Sequence, residues 1–187
     1  MGTVAGDASL PTVRQDDRHA PQYVTGNAML LTFADATFDA AVGSEVLQHA
    51  SSPAQFIIEV ARVLRPGGVF CFDTPNRTWL ACLSLISIAE NLDWAPRSMH
   101  DYDLFLTPSE VYDHLVSPGL RLRGSRGFAL ERGAFGAMRR YLRRRDIGGF
   151  RLINDLRFVM TGYADEPTEP NLAAVEEEPI AVERDAR

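Results

Sequence analysis

Two short stretches of the chain combine side chains that could accept or pass on a proton. Glu45, Gln48 and His49 lie within five residues, directly after a short apolar run. A carboxylate and an imidazole so close together could act as a base pair on a substrate hydroxyl. The dipeptide His100-Asp101 is a second candidate, with two alternatives: a proton acceptor on the substrate side, or a hydrogen-bonded anchor for its loop.

The elements around the first stretch predict a strand, a capped helix and a second strand. The run FDAAVGSEV ends in polar residues, which places Ser44 at the carboxyl end of a strand. Ser52 is a good N-cap and Gln55 can close a capping box, while Phe56, Val60 and Leu64 recur at helical spacing. We therefore expect a helix that presents one apolar face.

The second strand follows a predicted turn. Pro66-Gly67-Gly68 should end the helix and turn the chain, and the run VFCF at 69–72 shows no alternation, as in a strand covered on both faces. Cys71 and Cys82 lie in apolar segments, so we expect buried free thiols. Two apolar strands joined by a helix predict a βαβ unit of a parallel sheet.

These residues also carry a family signature. The pieces, in order, are FADATFDA, SEVLQH, LRPGGVF and DTPNR, followed by HDYDLFLTPSE at 100–110. Together they resemble class I S-adenosylmethionine-dependent methyltransferases, over about residues 23 to 76 for the superfamily. For the branch of ubiquinone-biosynthesis O-methyltransferases, the resemblance extends to about residue 163. It implies an α/β, Rossmann-like fold with a mostly parallel sheet and helices on both faces.

The resemblance implies a cofactor, S-adenosylmethionine, and residues that hold it. Gly26-Asn27-Ala28 matches the family's G-D-A loop, with Asn27 in place of the aspartate that takes the adenine amino group. The Asn27 amide oxygen could still accept that hydrogen bond, more weakly without charge assistance, and the backbone of Ala28 would face the ring. Alternatively, residues 26–28 form a loop that has no role in binding the cofactor. Ser44 would meet cofactor at the carboxyl edge of the sheet.

The branch's E-x-x-E-H pattern implies a divalent metal at the substrate hydroxyl. Here Glu45 and His49 are present, and Gln48 replaces the second glutamate, which removes one anionic ligand. Three alternatives stay open for Glu45 and His49: metal ligands, metal-free catalytic residues, or a structural loop.

The family's Gly-rich turn and ribose-binding acid should precede Tyr23. Residues 1–22 contain only the isolated Gly2 and Gly6, so we expect a partial fold with its first strands missing. The expected organisation is an irregular segment at 1–22, a truncated methyltransferase domain at 23–164 and a disordered acidic tail at 165–187. The exposed edge of the strand at 38–43 predicts self-association.

Composition and charge limit the kinds of partner that this chain is expected to bind. A net charge of −6 argues against a nucleic-acid binder, and no apolar leader marks the first twenty residues, so we expect a cytoplasmic protein. The apolar run 79–89 is too short to span a bilayer. It is either a cover helix or a peripheral contact with the inner face of the membrane, and the arginine-rich stretch 139–145 is either a solvated face or an anionic-lipid contact.

Two classes of function remain open at this stage. The first is an enzyme that methylates a phenolic or quinone-like small molecule, with an isoprenoid quinone precursor as the acceptor implied by the branch. The second is a non-catalytic remnant that binds the cofactor weakly or not at all.

Overall fold

The computed structural model describes residues 23–83, 101–144, 146 and 148–168 as a mixed five-stranded sheet with four helices. The strands are β1 (Phe38–Gly43), β2 (Leu64–Pro75), β3 (Arg121–Leu130), β4 (Phe150–Ile153) and β5 (Val159–Asp165). The helices are α1 (Pro53–Val63), α2 (Trp79–Ala81), α3 (Pro108–Val116) and α4 (Gly133–Arg144). Single 3₁₀ turns lie at Leu47–His49 and Tyr102–Leu104.

The predicted βαβ unit is confirmed, because β1 and β2 pair in parallel on either side of α1. Ser52 caps α1 by accepting a hydrogen bond from the Gln55 N–H at 3.3 Å. Helix α1 ends at Val63, earlier than the predicted turn at 66–68, and these residues lie within the bounds of β2. The chain is irregular there, because the pairing with β1 passes from Leu64 directly to Val69. Gly67 adopts a φ of 83° there, and its N–H donates to the Glu166 carbonyl at 2.8 Å.

The α/β class is confirmed, but the expectation of a mostly parallel sheet is corrected. The strand order is β1-β2-β5-β3-β4; β1·β2 is parallel, whereas β2·β5, β3·β5 and β3·β4 are antiparallel. Antiparallel pairing satisfies the backbone of β2 from Val69 to Pro75 without a crossover helix. Within the described residues, β1 is an edge strand, as the sequence predicts.

The core lies on one side of β2. Phe70, Phe72 and Thr74 are buried there, together with apolar residues of α1 and α3. On the other side, Cys71 is exposed and its neighbour Val42 is 76% exposed. The predictions of a strand covered on both faces and of a buried Cys71 thiol are therefore wrong; the uninterrupted apolar run reflects an open sheet face.

Residues 150–165 form two strands. β4 and β5 are separated by a turn in which the Asp155 Oδ1 accepts from the Arg157 N–H at 3.0 Å. The ordered chain also continues past the predicted boundary at residue 164, because Asp165 ends β5 and the Glu166 N–H donates to the Gly68 carbonyl at 2.9 Å.

Side-chain caps begin the two helices that follow β2. Thr78 caps α2, and the Thr107–Glu110 capping box of α3 has both of its hydrogen bonds. Of the apolar run 79–89, residues 84–89 lie outside the described residues, as does most of the predicted tail. No helix among the described residues is long and apolar enough to cross a bilayer.

Candidate functional site at the carboxyl ends of β1 and β2

The carboxyl ends of the two parallel strands meet at Glu45 and Asp73. Gly43 pairs with Phe72 at the end of the ladder, Ser44 follows in an exposed position, and the chain then turns sharply. Glu45 has a φ of 53°, a left-handed conformation that costs a residue with a Cβ about 1–2 kcal/mol. Its N–H donates to the Asp73 Oδ1 at 2.9 Å, so Asp73 holds the strained residue in place.

Gln48 holds the side chain of Glu45 in place through a hydrogen bond. It lies in the 3₁₀ turn Leu47–His49, is only 1% exposed, and donates its Nε2 hydrogen to the Glu45 Oε2. The Gln48 Oε1 and the Thr74 Oγ1 are buried acceptors without a protein partner in the described part of the chain. Unmet buried polar atoms are uncommon in folded proteins and mark places where a ligand or water completes the structure.

His49 stands at the end of the same turn with an exposed side chain. Its backbone N–H donates to the Val46 carbonyl at 2.9 Å, which closes the turn. The structure thus brings Glu45 to Gln48 and Asp73, while the His49 ring faces solvent from the neighbouring position.

The donor set does not fit a metal ion. Among the described residues, no three His, Cys, Asp or Glu side chains lie close enough together to hold one. Gln48, which replaces the second glutamate of the family pattern, donates a hydrogen bond to the Glu45 Oε2 and supplies no anionic ligand. The structure therefore offers no support for the metal alternative for Glu45 and His49.

The predicted cofactor loop forms a tight turn before β1. The exposed Asn27 accepts the Met29 N–H at its Oδ1 (2.9 Å) and the Leu30 N–H at its carbonyl (3.0 Å). An amide oxygen has two lone pairs, so Oδ1 keeps one for an outside donor. Ala28 lines an open pocket of about 140 Å³, whose other walls are Val24, Gly26, Leu31, Thr32 and Phe33.

An ion pair on α1 between the buried Glu59 and the partly exposed Arg62 holds this loop, and sequence reasoning missed it. Glu59 is 5% exposed and accepts the Leu31 N–H at 2.8 Å and the Arg62 Nε and Nη2 at 3.0 and 2.9 Å. Arg62 also donates to the carbonyls of Leu31 and Phe33, each at 2.9 Å. Two of the pocket's walls are therefore fixed through their backbones. The signal in the sequence was a glutamate three residues after Phe56, on the apolar face of the helix.

The electrostatics of this pair favour the charged forms. The hydrogen bond from Arg62 holds the pKa of Glu59 below its ordinary value, against the opposing effect of burial. Conversely, the hydrogen bonds to Glu59 and then to Asp35 raise the pKa of Arg62 above its ordinary range. The loop is therefore held by a permanent ion pair at neutral pH.

Two polar residues in DTPNR also belong to this edge of the sheet. Asp73 supports Glu45, while Asn76 is buried and donates to the Leu156 carbonyl at 3.0 Å. The signal in the sequence for these two residues was the presence of polar side chains at the end of an apolar strand. His100 lies outside the described residues, and its neighbour Asp101 caps the turn Tyr102–Leu104 by accepting the Asp103 N–H at 3.1 Å.

Comparison with protein families gives a match over residues 3–72 to a methyltransferase domain. The chain is 33% identical over 127 residues to a ubiquinone biosynthesis O-methyltransferase of Parvibaculum lavamentivorans, covering 64% of this chain and 50% of that protein. It is 30% identical over 135 residues to the enzyme of the same name from Roseobacter denitrificans, covering 68% and 53%. The chain thus spans about half the length of these relatives.

A solved structure shares the fold. A methyltransferase of Thermotoga maritima, described as S-adenosylmethionine-dependent and a possible histamine N-methyltransferase, superposes with a TM-score of 0.52 at 14% identity. The alignment covers 76% of this chain and 63% of that one. The predicted Rossmann-like architecture is therefore confirmed.

Proposed function

We propose that this chain, which matches a methyltransferase domain and has the Rossmann-like fold of S-adenosylmethionine-dependent methyltransferases, methylates a hydroxyl of a phenolic or quinone-like small molecule. The observation that carries the proposal is the arrangement at the ends of β1 and β2. There a strained Glu45 is held at its backbone by Asp73 and at its carboxylate by Gln48. A strained backbone conformation persists only where the surrounding structure holds it, and such residues cluster at active sites and ligand-binding sites.

The pocket beside Asn27 fits the adenine end of the cofactor. Its walls are mostly apolar, its mouth is open, and the Asn27 Oδ1 can accept one further hydrogen bond. Ala28 would lie against the ring, and Ser44 would face the cofactor from the end of β1. When bound, S-adenosylmethionine supplies a methyl group on an electrophilic sulfonium sulfur.

The protein's own task is then to align the acceptor oxygen and to remove its proton. Glu45 is the candidate base, because Gln48 orients its carboxylate and Asp73 fixes its backbone. His49 supplies an exposed imidazole on the same turn. No step requires a metal ion, in keeping with the donor set described above.

We infer the chemical class of the methyl acceptor from the names of the relatives. Both quoted relatives are named for ubiquinone biosynthesis, so we infer a ring with adjacent oxygens, and an isoprenoid quinone precursor as its natural form. Such an acceptor is membrane-embedded, which would bring the chain to the membrane surface, and the apolar run 79–89 is one candidate contact.

A second candidate, a non-catalytic relative that binds the cofactor poorly, is favoured by two substitutions. Asn27 stands where the family pattern has the adenine-binding aspartate, so the cofactor site lacks one carboxylate. Gln48 stands where the pattern has the second glutamate, so the acceptor side lacks another. Each charge-assisted hydrogen bond lost to a charged ligand costs roughly 1.5–3 kcal/mol. We therefore expect the 187-residue chain alone to bind S-adenosylmethionine more weakly than the micromolar range. Micromolar or tighter binding by isothermal titration would exclude this second candidate.

The test of the site compares two substitutions under the same assay. Transfer of radiolabelled methyl to a catechol is measured together with cofactor affinity. His49→Ala should lower turnover more than affinity, and Asn27→Ala should do the reverse, because Asn27 adjoins the pocket proposed for adenine whereas His49 lies on the turn after β1. His114→Ala, on α3 and away from both sites, is the control. If both substitutions leave turnover and binding intact, the site is misassigned.

A further inference from the structure

Helix α4 carries an exposed apolar stripe that core packing does not account for. Its inner side is made by Ala137 and Tyr141, both buried and one turn apart. On the opposite side, Phe135 is 85% exposed and Leu142 is 73% exposed. Residues 135 and 142 are seven apart and share one face of a helix, so these two side chains form a stripe that points away from the core.

The stripe lies in the most basic part of an acidic chain. Six of the chain's 19 arginines fall between residues 132 and 145, a stretch without any Asp or Glu, although the whole chain has a net charge of −6. Arg139 lies between Phe135 and Leu142 on the outer face, and Arg143 lies one turn further along; both are exposed. Arg140, by contrast, points to the turn before β4, where its Nε donates to the Asp146 Oδ2 at 2.7 Å.

The strand that follows α4 also carries exposed apolar side chains. Phe150 and Leu152 of β4 are also more than half exposed, and β4 pairs only with β3 among the described strands. Helix α4 and the turn before β4 are in contact, since the Arg140 side chain packs against Gly148. Large apolar side chains on an edge strand are costly in water and suggest a partner.

We propose that the outer face of α4, defined by Phe135, Arg139, Leu142 and Arg143, binds the surface of an anionic phospholipid bilayer. An amphipathic helix with basic and large apolar residues on one face lies in the interface plane, with its apolar side chains among the lipid chains. Arginine suits this role because its planar guanidinium binds phosphate through two parallel hydrogen bonds.

The inference concerns a surface apart from the carboxyl ends of β1 and β2, and it does not depend on methyl transfer. It also differs from a contact through residues 79–89. The test therefore measures membrane binding directly, by sedimentation of the purified full chain with vesicles of phosphatidylcholine alone or with about one third phosphatidylglycerol.

We expect binding to the anionic vesicles only, weakening as salt is raised. Arg139→Gln with Arg143→Gln should reduce the partition coefficient about 25-fold, since a basic residue at an anionic surface contributes about 1 kcal/mol, or roughly fivefold. Phe135→Ser with Leu142→Ser should reduce it at least as much. All four side chains are exposed, so the variants should melt as the wild type does.

The matched control carries substitutions on another helix. Tyr112→Ser with Val116→Ser removes two exposed apolar side chains from α3 and should not change vesicle binding. Trp79→Ser, which removes an exposed side chain at the start of the run 79–89, separates that candidate contact from the face of α4. The proposal is overturned if the wild type ignores the anionic lipid, if binding is lost with Trp79 rather than α4, or if the arginines matter while Phe135 and Leu142 do not. The last result would show an electrostatic contact in which no apolar side chain enters the bilayer.

Discussion

Replacing Glu59 by glutamine tests whether the buried ion pair positions the cofactor loop. The carboxylate accepts three N–H donors, one from Leu31 and two from Arg62. The amide of Glu59→Gln can keep the Leu31 bond with its oxygen, but its NH₂ group then faces the Arg62 guanidinium, which has no acceptor to offer. The change therefore removes the bidentate, charge-assisted part of the network while preserving the shape of the side chain.

The expected cost is about 2 kcal/mol, taken from the lower half of the range for charged hydrogen bonds because Arg62 is partly exposed. For a chain of this size that corresponds to a fall in Tm of about 4–8 °C, measured by calorimetry at pH 7. The control is Asp39→Asn, which breaks the exposed pair between Asp39 and Arg65 at 2.6 Å and should shift Tm by less than about 2 °C.

The pH dependence supplies an independent check. Arg62 holds the pKa of Glu59 below its ordinary value of 4.5, so the stabilisation is complete above pH 4.5 and is lost as the pH falls through the lowered pKa. The Tm difference between wild type and Glu59→Gln should therefore be constant at neutral pH and narrow below pH 4.5. Because the pair anchors Leu31 and Phe33, adenosine affinity should fall in the variant as well. A variant that melts like Asp39→Asn and binds adenosine like the wild type would refute the role of the ion pair.

Four further outcomes are expected. Glu45→Gly relieves a φ of 53° and should raise stability by up to about 1 kcal/mol while lowering methyl transfer at least 100-fold; undiminished transfer would remove Glu45 from the mechanism. Gln48→Glu places a second buried carboxylate against Glu45, so Tm should fall and recover with added Mg²⁺; a Tm indifferent to Mg²⁺ would show that no metal site forms even with the family's charge pattern. Burial raises the pKa of Glu166, which costs stability as the pH rises above 4.5, so Glu166→Gln should raise Tm at pH 7 and have no effect at pH 4. Finally, light scattering at tens of micromolar should show self-association through the edge strand β1, and a monodisperse monomer would show that this edge is covered.

Local patterns were sufficient for the elements that depend on neighbouring residues. Ser52 predicted the start of α1, because an N-cap works through residues three positions away. The apolar spacing of α1 and the polar residues after β1 similarly predicted a βαβ unit and the place of Ser44 and Glu45 at its carboxyl edge. Motif order predicted the methyltransferase resemblance, which the matched domain and the shared fold confirm.

The tertiary structure decided what depends on residues distant in sequence. An uninterrupted run such as VFCF does not reveal whether one or both faces are covered, because that depends on which elements pack there; Cys71 proves exposed. Strand direction was equally hidden, since β5 pairs with β2 about 90 residues away along the chain. The Glu59–Arg62 clamp on Leu31 and the hold of Asp73 on Glu45 each join residues 28 positions apart. The sequence by itself determined which chemical groups are present and which local elements carry them. Only the tertiary structure determined which of those groups contact one another. Such contacts depend on how distant segments pack and become buried, which a local sequence pattern does not indicate.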